Sequence, residues 1–89
     1  MVEGMLWFDN ATDRGLVDKV ERAARYYADK RGMLPTTCYV HPGMLTPGKA
    51  ASVSVKGGVV EVKPTNSVLL NHFWLGVEEE SFRQQRPAA

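Results

Sequence analysis

The chain is short of cysteine, of net charge and of long apolar runs, and each shortage removes a class of protein. One cysteine, Cys38, in 89 residues cannot close an internal disulfide. Nothing therefore calls for an oxidising compartment, and the expected location is cytoplasmic. Eleven basic residues against ten acidic leave a net charge of +1, too little for binding dominated by phosphate or by a charged membrane surface. No stretch approaches the roughly 20 apolar residues that a membrane-spanning helix needs. Residues Met1 to Gly4 have no basic segment followed by an apolar run, so they read as a short mobile leader, or Met5 as an alternative start, and not as a secretory signal. A glycine-rich strand-to-helix phosphate loop is missing too, as are repeats and any internal linker.

What remains is a chain 44% hydrophobic and 24% charged, the balance of an ordinary globule. Its length allows one domain with one core. That domain is expected over residues 5–78. Residues 79–89 carry charge, glutamines and a proline but no apolar stripe, and are expected to fray.

One helix is plain. Leu16, Val17, Val20, Ala23, Ala24, Tyr27 and Ala28 recur at the spacing of a single helical stripe. Opposite them, Asp18 with Arg22 and Glu21 with Arg25 are acid-before-base pairs four apart. Thr12 or Asp13 is the expected cap, and Gly32 the stop, after Lys30 and Arg31 and just before Pro35. The spacing predicts a helix over about 13–31.

Strands are expected at 5–9 and 36–41, the second closed by Pro42–Gly43, and at 52–56, 59–63 and 73–77. A loop is expected over 43–50 and a turn over 64–67. Gly57–Gly58 suits a two-residue hairpin loop, which would set Val53 against Val62 and Val55 against Val60. The element order is then β-α-β-β-β-β: an α+β fold, one amphipathic helix on a mostly antiparallel sheet of four to five strands.

Alternation along those strands separates two sets. Leu6, Phe8, Cys38, Val40, Val53, Val55, Val60, Val62, Phe73 and Leu75 form the expected core parity. The other parity gathers Trp7, Tyr39, His41, His72 and Trp74. Such a face is either covered by a loop, such as 43–50 or 68–71, or used for contact. Trp and Tyr are the types enriched at the centres of protein interfaces.

Catalytic readings are thinner. Cys38 and His41 are three apart and His72 could join them, but Cys38 and His41 point to opposite faces of a strand and no fourth Cys or His exists for zinc. On the core parity Cys38 behaves as a small hydrophobe rather than a nucleophile. His41 or His72 with Asp9 or Glu61 could in principle exchange protons, yet both histidines sit in turn contexts, beside Pro42 and Asn71, where hydrogen bonding to a turn is the commoner role. Aromatics on a sheet face can also stack single-stranded nucleic acid, but the bases nearby, Lys56 and Lys63, are offset by Glu61 and Asp9.

The runs MLWFDN, RAARYY, CYVHP and NSVLLNHFWLG, spread over Met5 to about Glu78, resemble a small family of bacterial hypothetical proteins. That resemblance implies a compact bacterial domain and assigns no activity, cofactor, partner or catalytic residue. The expectation is a non-enzymatic binding or regulatory module acting through protein–protein contact, with an unknown protein or a second copy of itself (a homodimer) as partner, and with no cofactor and no membrane. Single-stranded nucleic-acid binding on the same face is the first alternative, and a small histidine- or metal-dependent enzyme the second.

Overall fold

The computed structural model describes residues 4–45 and 51–77. Most of the expected leader, all of the tail expected to fray and residues 46–50 of the expected loop lie outside the described residues. The elements run β1 (Gly4–Phe8), α1 (Leu16–Arg31), β2 (Thr37–Val40), β3 (Ala51–Val55), β4 (Gly58–Pro64) and β5 (His72–Gly76), with a short 3-10 turn at Pro42–Met44. Gly4 belongs to β1 and not to a leader. The architecture is α+β.

All five strands form one sheet in the order β1-β5-β2-β4-β3. Each neighbouring pair is antiparallel except β2 with β4. Since β5 opposes both β1 and β2, those two run the same way, and β1-α1-β2 is a crossover split by β5. Helix α1 packs over β3 and β5. No helix among the described residues is long and apolar enough to cross a membrane.

The helix buries Val20, Ala23, Ala24 and Tyr27, which meet Cys38, Val40, Val53, Val60, Val62, Phe73 and Leu75 in one core. Val17, expected on that stripe, is instead exposed, while Leu16 beside it packs on the core and Lys19 is buried. Neither Thr12 nor Asp13 caps it. The N-cap is Gly15, which offers no side-chain acceptor. The chain before it is held as a loop: Asp9 Oδ1 accepts the Ala11 N–H at 3.0 Å, and Arg14 reaches the same carboxylate at 3.3 Å. At the other end Gly32 is left-handed, with φ 76°, and its N–H closes on the Ala28 carbonyl, a stop that glycine makes at no steric cost.

The β3–β4 hairpin keeps its faces but not its expected pairing. Val53 lies opposite Val60 and Val55 opposite Gly58, so the two-residue loop is Lys56–Gly57. Gly57 takes φ 97° at the second central position, where a left-handed residue is required. Because the displacement moves the pairing by two residues, every valine stays on its expected side.

In β1 the expected parity is inverted. Trp7 is opposite Phe73 and Met5 opposite Leu75, while Leu6 faces Trp74 and Phe8 faces His72. Directly opposed residues share a sheet face, so Met5 and Trp7 join the helix side and pack on the core. Leu6 and Phe8, each 56% exposed, lie on the other face. The segment Met5–Phe8 is apolar at every position, so alternation within it carries no preference; pairing with β5 decides.

Candidate binding face

The face opposite α1 is graded from apolar to polar across the sheet. At the β1 edge stand Leu6 and Phe8, then His72 and Trp74 on β5, then Thr37 and Tyr39 on β2. Glu61 and Lys63 follow on β4 with the exposed Val59, and Ser52 and Ser54 on the β3 edge. Tyr39 and Trp74 are directly opposed across β2 and β5. Of the five aromatic and histidine residues expected together, Tyr39, His72 and Trp74 share this face. Trp7 does not: its ring stacks on Tyr26 of α1 with centroids 4.9 Å apart, and its indole Nε1 is buried with no hydrogen-bond partner. The reading of Trp7 as a member of the binding face is corrected accordingly.

His41 lies beyond the end of β2, where its Nδ1 accepts the Gly43 N–H at 3.0 Å and caps the 3-10 turn. His72 donates from Nδ1 to the Leu70 carbonyl at 2.8 Å, and its ring rests against Phe8 with centroids 4.9 Å apart. Both imidazoles thus commit Nδ1 to their own turns. Asp9, read as a possible acid–base partner, is buried on the helix side, and its carboxyl is held below the ordinary range by the Ala11 N–H and then by the charges of Arg14 and Lys19. Cys38 is fully buried, and burial lifts its thiol to about 12, far from a thiolate at neutral pH. No group of three His, Cys, Asp or Glu residues that could hold a metal occurs among the described residues.

Two features of this face were not expected from the sequence. The first is an apolar cleft of about 300 Å³ lined by Leu6, Ser67, Val68, Leu69, His72 and Trp74. The β4–β5 connection forms its wall, with Val68 buried and Leu69 71% exposed. The 68–71 segment therefore covers the aromatic face only in part, while Leu45 and Met44 of the other expected cover join the helix-side core. The second is the outer edge of β1, which no strand among the described residues pairs with. Asp9 N–H bonds to the Asn71 carbonyl at 2.9 Å, which marks the odd-numbered residues of β1 as those bonded to β5. In an antiparallel ladder the alternate residues then point their N–H and C=O groups outward. Arg31 Nη2, 3.3 Å from the Gly4 carbonyl, meets that outward edge at one end. The sequence did carry a signal for the cleft wall: Val68, Leu69 and Leu70 are an apolar run placed directly after a turn.

Against protein-family models, curated proteins and solved structures the chain shows no match.

Proposed function

We propose that this chain is a small cytoplasmic binding module that acts by protein–protein contact through the β1–β5 half of the face opposite α1. The observation that carries the reading is the gradient across that face. Leu6, Phe8, Leu69 and Leu70 are each more than half exposed, beside a cleft lined by apolar and aromatic side chains, while the β3 side of the same sheet presents serines, Glu61 and Lys63 around an exposed apolar side chain, Val59. Small monomers seldom leave contiguous apolar surface of this kind without a use for it. The cleft suits an aliphatic or aromatic side chain of a partner, with Trp74 and His72 as its walls. The lone buried thiol, which needs no oxidising environment, supports a cytoplasmic setting.

The test is site-specific photo-crosslinking in the expressing cell, with p-benzoylphenylalanine at position 69 and, as control, at position 56 on the hairpin turn. Protein adducts are expected at 69 alone and should disappear when Phe8→Ser is added. The same pattern from both positions, or none from 69, would overturn the reading.

A further inference from the structure

We infer that the partner of this face is a second copy of the chain, joined edge to edge through antiparallel pairing of β1 about a twofold axis at Leu6. The inference rests on the protein-contact reading above and names its occupant.

The β1 edge is self-complementary in register. A twofold axis at Leu6 sets Leu6 against Leu6 of the second copy and Gly4 against Phe8, in both directions. The outward backbone groups of residues 4, 6 and 8 then form up to about six hydrogen bonds across the axis. The Gly4 carbonyl can still accept one while Arg31 holds its other lone pair. Gly4 carries no side chain, and none would fit on its own strand, since a Cβ there would collide with the Leu75 carbonyl oxygen and lie 3.2 Å from Trp74 Nε1. The twofold register sets Phe8 of the second copy opposite this glycine, a pairing of aromatic with glycine that recurs in paired strands. That ring would then border the Leu6–Trp74 wall of the cleft.

The edge lacks the features that keep edges apart. Gly4–Phe8 contains no charge, no proline and no bulge, whereas natural free edges are protected by one of these. Charge does not oppose the pairing. Arg31 stands at the Gly4 end, and the loop at the Phe8 end exposes Asp13, while Asp9 is buried and paired with Arg14. Antiparallel pairing brings each Arg31 toward the Asp13 loop of the other copy, and sets the two α1 helices, both on one side of the continuous sheet, with opposed dipoles.

The available area suits a weak, reversible dimer. From their exposures, Leu6, Phe8 and Leu69 offer on the order of 300 Å² of apolar surface per protomer, roughly 600 Å² over a twofold interface before the paired backbone is added, at the small end of interface sizes. Association is therefore concentration-dependent.

Leu6→Cys tests the register directly. Opposed residues of a hydrogen-bonded antiparallel pair have Cα atoms about 5.5 Å apart, within disulfide range, and buried Cys38 does not compete. Mild oxidation should convert Leu6→Cys to a covalent dimer, while Val59→Cys, exposed and far from this edge, stays monomeric. Light scattering of the unmodified chain should show mass rising toward that of a dimer with concentration, and Leu6→Arg should abolish the rise. If the chain keeps its monomer mass at millimolar concentration, or if Leu6→Cys and Val59→Cys oxidise alike, self-pairing is overturned. In that case adducts to another protein at position 69 leave the contact reading standing; their absence removes both.

Discussion

Cys38 is the residue whose chemistry is most altered by the fold. Its thiol is fully buried and lifted to about 12, while an unfolded chain would titrate it near 8.5. Above that lower value the unfolded state sheds a proton that the folded state keeps. Stability supplied by the neutral thiol is thus fully present below about pH 8.5 and is lost as pH rises toward 12, with a slope of at most about 1.4 kcal/mol per pH unit. Urea unfolding at several alkaline pH values should show a shallower decline for Cys38→Ala than for the unmodified chain. Equal slopes would mean that the thiol meets solvent in the native state. That Cys38 faces the core was legible from its place between Thr37 and Tyr39 in an alternating strand. The roles of Trp7, Leu6 and Phe8 were not, because an all-apolar segment presents the same hydrophobic pattern in either orientation and only its pairing with Phe73 and Leu75 separates them.

Among the elements, α1 is the one whose end can be improved. Gly15 caps it in an extended conformation, φ −87° and ψ −177°, with no side-chain bond. A Cβ at that position would meet nothing within 4 Å. Gly15→Asp should accept an otherwise unpaired N–H of the first turn, oppose the positive end of the helix dipole and narrow the unfolded ensemble. Together these are worth about 0.5–1 kcal/mol, read as a rise in Tm of about 2–8 °C. A fall would show that Gly15 is needed for another reason. The sequence suggested a side-chain cap at Thr12 or Asp13, a reasonable local reading. It was displaced by the bonds from Asp9 to Ala11 and Arg14, which hold those residues outside the helix. The hairpin shows the same limit: two adjacent glycines allow two loops, and the chain uses the one that puts Gly57, at φ 97°, where the turn needs it.

At the scale of the whole molecule, charge separates the two uses open to an aromatic sheet face. With a net charge of +1 and Lys63 beside Glu61 on that face, few phosphates could be neutralised, and affinity for nucleic acid depends steeply on how many are. A labelled single-stranded DNA of about 20 nucleotides should show no anisotropy change with up to about 100 µM protein at about 150 mM salt. Micromolar binding that weakens steeply with added salt and is lost in Trp74→Ala would assign the face to nucleic acid instead.

By itself the sequence determined the helix with its glycine stop, the helix-side burial of β2 through β5 and the element order, since 3.6- and 2-residue periodicities are local and survive small errors of register. Tertiary structure alone decided which side of β1 faces the core, which loop closes the hairpin and that β5 inserts between β1 and β2. It also decided that the 68–71 segment builds a cleft against Leu6 and Trp74. Each of these depends on which residues meet across strands far apart in the chain, and no local pattern encodes a partner.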